Sequence, residues 1–178
     1  MKICLVRHGE TEENFLRKMQ GLSNNLMNDT GRRQCQALRM RLNGKHFDYC
    51  YMSPLIRCVE TAFILVGDSC EMIPDKRLIE RDFGELENHP GEEYNEYQFW
   101  NYTLNRSDFG IEPIHDVFKR CEEFLDYIIS KHPDGTILIV THSSPYRALR
   151  HLIKKRPLKG PMLDGIISNC QYEEFEIN

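Results

Sequence analysis

The 178-residue sequence lacks several features that mark common protein classes. It has no apolar run approaching the length of a membrane span, and its first apolar stretch, after Lys2, is far shorter than a signal-peptide core. It has no excess of positive charge either, since 23 Lys and Arg are set against 27 Asp and Glu, for a formal net charge of -4. We therefore expect no binding to membranes or nucleic acids.

The spacings of the cysteines and of possible metal ligands also argue against two classes of protein. The seven cysteines are an odd number and contain no Cys-x-x-Cys pair, which argues against a disulfide framework and a zinc site. No His-x-x-x-His pair or acidic triplet is present. We expect reduced thiols, a cytoplasmic location, no metal and no cofactor.

What the sequence does contain is an alternation of apolar runs and helical stripes. Residues 2–6 and 136–141 are continuous apolar runs, typical of central strands that are buried on both faces. Shorter strands are predicted over 47–52, 71–73 and the tail 170–177, and helices over 29–42, 55–66, Val117 to Ile128 and from Ser144 onward. This order predicts a single domain over 1–178, a three-layer α/β/α sandwich with a mainly parallel sheet.

Two Ser-Pro pairs predict helix starts. In Ser53-Pro54 and Ser144-Pro145, serine suits the N-cap and proline the first helical position, as Asn28 suits the N-cap of the first long helix. Arg57 would then lie in a first helical turn. Because helix N-termini carry partial positive charge, both starts favour an anion nearby.

Residues 85–112 are polar, acidic and aromatic, and contain the turn signal Asn88-His89-Pro90-Gly91. We interpret this stretch as a short cap inserted into the domain. Its aromatic cluster either packs a short helix or forms a wall of a substrate site, and the sequence leaves both readings open; the cluster consists of Tyr94, Tyr97, Phe99, Trp100 and Tyr102.

Charged and imidazole side chains follow the two central strands. Arg7 and His8 come directly after the first apolar run, and His142 follows the second. If these strands are parallel neighbours, both imidazoles emerge at one edge of the sheet, where open α/β sheets bind ligands. Together with Arg57 they would form a cationic pocket suited to a phosphoryl group, whose oxygens arginine can pair two at a time.

Five ordered motifs resemble the histidine phosphatase superfamily, the phosphoglycerate-mutase-like enzymes. Three residues such as Arg-His-Gly recur by chance, but the ordered set runs through most of the chain. The motifs are Arg7-His8-Gly9-Glu10-Thr11-Glu12-Glu13-Asn14; Gln20-Gly21; Ser53-Pro54-Leu55-Ile56-Arg57 with Thr61-Ala62; Glu80-Arg81-Asp82-Phe83-Gly84; and Thr141-His142. The chain departs from the family where Ser143 and Asn88 replace usual glycines.

The resemblance implies a set of site residues. His8 would be the nucleophile that accepts the phosphoryl group, and Glu80 would protonate the leaving oxygen and later deprotonate water. The remaining implied residues would bind the substrate, chiefly its phosphoryl oxygens; they are Arg7, Asn14, Gln20, Arg57, His142 and Ser143.

The resemblance also implies a function. We expect a metal-independent phosphomonoesterase of the histidine acid phosphatase type, which hydrolyses a small phosphorylated metabolite through a phosphohistidine. The short chain is similar to the phosphatase members, including those acting on α-ribazole phosphate. A phosphoglycerate mutase-type phosphotransferase, a protein phosphohistidine phosphatase and a non-catalytic phosphate-binding module remain alternatives. The sequence identifies neither the natural substrate nor the oligomeric state.

Overall fold

The computed structural model describes residues 1–91, 95–163 and 167–177. In these ranges the strands are β1 (Lys2–Arg7), β2 (Tyr49–Met52), β3 (Glu71–Pro74), β4 (Thr136–Thr141) and β5 (Tyr172–Glu176). The helices are α1 (Glu12–Phe15), α2 (Asp29–Arg41), α3 (Ile56–Val66), α4 (Glu96–Phe99), α5 (Ile114–Lys131) and α6 (Ser143–Ile153). No helix in these ranges is long and apolar enough to cross a membrane.

The strands form one sheet in the order β3-β2-β4-β1-β5. All pairs are parallel except the pair of β1 with β5, which is antiparallel and places β5 at the edge of the sheet. Because β1 and β4 are parallel neighbours with Arg7 opposite Thr141, the residues after both strands leave the sheet at the same edge. The predicted mainly parallel sheet is confirmed.

Both faces of the sheet are covered by helices. Ile3 and Leu5 pack with apolar residues of α5 and α6, whereas Cys4 and Val6 pack with residues of α2 and α3 on the opposite face. Successive side chains of a strand point to opposite faces, so a strand buried on both sides needs a continuous apolar run. This explains the sequence of β1 and confirms the three-layer sandwich.

The predicted serine N-caps were wrong at both Ser-Pro pairs. Helix α3 begins at Ile56, and the Ser53 hydroxyl instead lies 2.7 Å from the Nε2 atom of His142. Helix α6 begins one residue before Ser144, because a carboxylate from elsewhere in the chain accepts hydrogen bonds from its first two N–H groups. The Asn28 cap is confirmed, since its Oδ1 accepts a hydrogen bond of 2.8 Å from the backbone N–H of Gly31.

The aromatic cluster of the proposed cap divides between packing and surface. Phe99 and Trp100 are each only 3% exposed, whereas Tyr97 is 61% exposed. Phe99, at the end of the short helix α4, belongs to a small apolar cluster that also contains Phe83. Tyr94 lies outside the described residues. The interpretation of 85–112 as an inserted cap stays a prediction.

Candidate active site

A cavity of about 310 Å³ opens at the edge of the sheet where β1 and β4 end. It brings together seven of the eight site residues predicted from the sequence, all except His142; the seven are Arg7, His8, Asn14, Gln20, Arg57, Glu80 and Ser143. Among the described residues, no group of three His, Cys, Asp or Glu side chains is placed to hold a metal ion. Trp100 and Glu96 reach the same cavity from the region proposed as a cap.

His8 is held with one ring nitrogen occupied by the protein. Its Nδ1 atom lies 2.7 Å from the carbonyl oxygen of Gly9, and because a carbonyl only accepts, Nδ1 carries the proton. The lone pair is therefore on Nε2. The loop is closely packed, since a Cβ atom at Gly9 would lie 2.8 Å from the carbonyl oxygen of Gly31, so a side chain does not fit there.

The surroundings of His8 favour a neutral imidazole. The ring is 2% exposed, and burial lowers the pKa of His8 well below its usual 6.5, with Arg57 and Arg7 lowering it further. A neutral ring keeps the Nε2 lone pair at physiological pH. Such a group is a nucleophile without a separate base.

The two arginines are positioned by carbonyl oxygens. Arg57 donates to the carbonyl oxygens of Ser23 and Gly21 at 2.6 and 3.0 Å, and Arg7 donates to that of Ile167. Neither guanidinium forms an ion pair with a carboxylate in the part of the chain that the structure describes. Their positive charges are thus available to a phosphate in the cavity.

Glu80 is anchored to the start of α6. Its carboxylate accepts backbone N–H hydrogen bonds of 3.2 Å from Ser143 and 3.1 Å from Ser144, and one of 2.9 Å from Arg81. The carboxylate thereby replaces the serine cap expected at this helix. Glu80 thus lies at the wall of the cavity and is 7% exposed, and its role as the group that exchanges a proton stays a prediction.

His142 lies behind the cavity. Its Nδ1 accepts a hydrogen bond of 3.2 Å from Arg57 Nε, so the proton is on Nε2, which donates to the Ser53 hydroxyl at 2.7 Å. Burial lowers the pKa of His142 well below 6.5. Its ring meets that of His8 edge to face, with 5.1 Å between centroids. Both nitrogens already have protein partners, and the role of His142 as a phosphate ligand stays a prediction.

Asn14 and Gln20 differ in how they are held. The Asn14 side-chain oxygen accepts a hydrogen bond of 3.3 Å from the backbone N–H of Thr11, as part of the cap of α1. Gln20 is 7% exposed, and its Oε1 has no hydrogen-bond partner among the described residues. A buried polar atom without a partner at a cavity wall is suited to contact a ligand.

Glu87 supports the site from outside it, and sequence reasoning missed this residue. Its carboxylate accepts a hydrogen bond of 2.7 Å from the Leu22 N–H and one of 3.1 Å from the Ser23 hydroxyl. These contacts hold the loop whose carbonyl oxygens position Arg57. The only signal in the sequence was the acidic character of the region, which does not single out one carboxylate.

The two departures from the family pattern are accommodated differently. Asn88 has a φ of 66°, in the left-handed region that glycine favours and asparagine tolerates. Ser143 is the first residue of α6 and does not have a positive φ. Its side chain therefore replaces a glycine without backbone strain.

The family of this chain follows from its match to a sequence model. The model of the histidine phosphatase superfamily (branch 1) matches residues 3–178, nearly the whole chain. The chain belongs to the histidine phosphatase superfamily. The resemblance carried by the five motifs is thereby confirmed, and four of the five motifs of this superfamily member contribute residues to one cavity, the exception being Thr141-His142.

Three known proteins show the range of similarity within the superfamily. Phosphoserine phosphatase 1 of Hydrogenobacter thermophilus is 33% identical over 156 residues, covering 84% of this chain and 74% of that protein. Phosphoglycerate mutase-like protein 4 of Arabidopsis thaliana is 33% identical over 158 residues, covering 83% and 69%. A phosphoserine phosphatase variant of Entamoeba histolytica, solved with phosphoserine, has a TM-score of 0.86 and 26% identity, covering 99% and 91%. The two phosphoserine phosphatases support an enzyme that hydrolyses phosphate esters.

Proposed function

We propose that this chain is a metal-independent phosphomonoesterase of the histidine acid phosphatase type, acting through a phosphohistidine on His8. The observation that carries the proposal is the placement of His8: a buried imidazole that donates its Nδ1 proton to the carbonyl oxygen of Gly9, at a cavity also lined by Arg7 and Arg57. A phosphoryl group placed there meets a nucleophile and two positive charges at once. This arrangement suits attack on phosphorus.

The proposed reaction has two steps. In the first, His8 Nε2 forms a bond to phosphorus while the phosphorus–oxygen bond to the leaving group breaks, and Glu80 gives that oxygen a proton. In the second, Glu80 takes a proton from water as the water oxygen attacks the phosphohistidine, which releases inorganic phosphate and restores His8. Arg7 and Arg57 stabilise the charge on the non-bridging oxygens in both steps.

We further propose that the substrate is a small phosphorylated metabolite, and that the enzyme works in the cytoplasm. A volume of about 310 Å³ is at the small end of ligand sites. Outside the phosphate region the cavity is lined by Lys18, Glu96 and Trp100, which offer both charges and an aromatic face to a leaving group. All seven cysteines are unpaired thiols, in keeping with a reducing compartment.

The decisive experiment combines a substrate panel with trapping of the intermediate. The panel includes phosphoserine and 3-phosphoglycerate, assayed for phosphate release with chelator, and with and without a bisphosphate activator. We expect phosphate release without activator, and a phosphorylated enzyme that survives alkaline quench but not acid. The matched control is His8→Ala, in which both signals should be absent.

Three outcomes would count against this proposal. Turnover in His8→Ala would exclude the nucleophile, and loss of activity in chelator would exclude the metal-independent reaction. Phosphate transfer that requires the bisphosphate would favour the mutase alternative. The similarity to the Arabidopsis protein, which is named phosphoglycerate mutase-like, is the reason for testing it. A mutase must keep water from the phosphohistidine, whereas a phosphatase must admit it.

A further inference from the structure

We infer that Asn169 is a positioning residue for the phosphate site, which orients the side-chain amide of Asn14 toward bound phosphate. The inference rests on the proposed function, because it assumes that phosphate occupies the cavity lined by Asn14. Asn169 precedes β5 and is 155 residues away from Asn14 in the chain. None of the five motifs contains it.

The orientation of the Asn169 amide follows from a backbone partner. Its nitrogen Nδ2 lies 3.1 Å from the carbonyl oxygen of His8, and a carbonyl only accepts, so this end of the amide is the donor. The same nitrogen lies 3.0 Å from the side-chain oxygen of Asn14. Asn169 therefore donates to both the nucleophile's backbone and the Asn14 side chain.

The Asn14 amide is oriented by the same reasoning. Its Oδ1 faces the backbone N–H of Thr11 at 3.3 Å, the Thr11 hydroxyl at 3.4 Å and Asn169 at 3.0 Å, and all three can donate. An amide oxygen surrounded by donors stays turned toward them. The NH2 group, which has no protein partner among the described residues, is then the part of Asn14 left for the cavity, and phosphate oxygens accept from such a group.

The turn that carries Asn169 is attached to the catalytic segment at other points. The backbone N–H of Cys170 lies 3.1 Å from the carbonyl oxygen of Arg7 and 3.2 Å from that of His8. The Arg7 guanidinium in turn donates to the carbonyl oxygen of Ile167. These backbone contacts do not depend on the Asn169 side chain, so a substitution there tests the side chain and leaves the turn anchored.

The test is the affinity of inorganic phosphate, measured as a competitive inhibition constant and by calorimetry. We expect Asn169→Ala to weaken phosphate affinity and raise KM about tenfold, the value of one charge-assisted hydrogen bond, with a smaller change in kcat. Asn169→Asp should be worse than Asn169→Ala. A carboxylate at this position attracts the Asn14 NH2 group and turns the Asn14 oxygen toward phosphate.

A double-mutant cycle separates positioning from general support. In an Asn14→Ala background, Asn169→Ala should have no further effect on phosphate affinity, because the group through which it acts is gone. The control is Gln171→Ala, which removes a hydrogen bond of 3.0 Å to the Ser168 N–H in the same turn and should leave phosphate affinity unchanged. Equal losses in both backgrounds, or unchanged affinity in Asn169→Ala, would overturn the inference.

Thermal unfolding is recorded for every variant. If Asn169→Ala does not fold, Asn169→Ser enters the same cycle, and equal phosphate affinity in the serine and aspartate variants would refute the inference. Its failure is distinct from failure of the proposed function. An inactive His8→Ala enzyme with an additive Asn169 cycle refutes only the positioning role, whereas an active His8→Ala enzyme refutes the proposed reaction.

Discussion

The ends of β1 and β4 are alike in sequence and different in what they do. Each is a buried apolar strand that ends at the same edge of the sheet beside a histidine. At the end of β1, His8 has one ring nitrogen bound to the protein and lines the cavity. At the end of β4, His142 has both ring nitrogens bound and lies behind Arg57. The strand places the imidazole, but its hydrogen bonds decide whether a ring nitrogen is left for a ligand.

The largest expected effect comes from replacing each histidine by alanine. His8→Ala should lower kcat on the order of 10⁴-fold or more, because it removes the proposed nucleophile. His142→Ala should lower kcat/KM only about 10²-fold, because it misplaces Arg57 without removing a reacting group. Steady-state kinetics on one aryl phosphate measures both. Equal losses in the two variants would mean that His142 is as important to the reaction as His8, which would contradict the comparison.

The second-largest effect is expected at Glu80, whose carboxylate binds the first residues of α6, the helix that follows β4. Glu80→Gln should slow hydrolysis of alkyl phosphates by about 10²- to 10⁴-fold, since their leaving oxygen needs a proton. Aryl phosphates with good leaving groups should be slowed much less. A plot of log kcat/KM against leaving-group pKa gives the answer, and a parallel shift of the whole plot would contradict proton donation by Glu80.

The smallest effect is on stability, and here the two histidines should behave alike. Burial lowers the pKa of both well below 6.5 in the folded protein. Below pH 6.5 the unfolded chain therefore binds protons that the folded chain does not, so stability is full above this pH and is lost as the pH falls. Each histidine contributes up to about 1.4 kcal/mol per pH unit.

Denaturant unfolding between pH 7.5 and 5.5 measures this dependence. His8→Ala and His142→Ala should each reduce the slope of unfolding free energy against pH by a similar amount. Carboxylates that titrate in the same range affect all three proteins equally and cancel in the comparison. A slope that is the same in the variants and the parent would show that the imidazoles are not buried in the neutral form.

Much of the fold was predictable because it depends on local apolar patterns. The runs before Arg7 and His142 predicted the central strands, and Asn28 predicted a helix start, since each of these signals is contained in neighbouring residues. The placement of seven site residues at one cavity followed from motif order and the parallel pairing of β1 with β4.

The starts of α3 and α6 and the orientations of the site side chains could not be predicted, because they depend on contacts between distant parts of the chain. Ser53 and Ser144 were predicted to be N-caps. The Ser53 hydroxyl instead binds His142, and the Glu80 carboxylate caps the start of α6 in place of Ser144. No sequence signal reports which way an imidazole or an amide faces. For the same reason Asn169, 155 residues from its partner, could not be recognised.

These distant contacts have a consequence for how the molecule acquires its activity. Arg7 reaches a carbonyl 160 residues later in the chain, and Arg57 reaches a histidine 85 residues later. Contacts that close such long loops must overcome the entropy of loop closure and therefore form after local structure. We therefore expect a refolding chain to regain its helices first and its catalytic competence last, when the segment before β5 has docked against the end of β1.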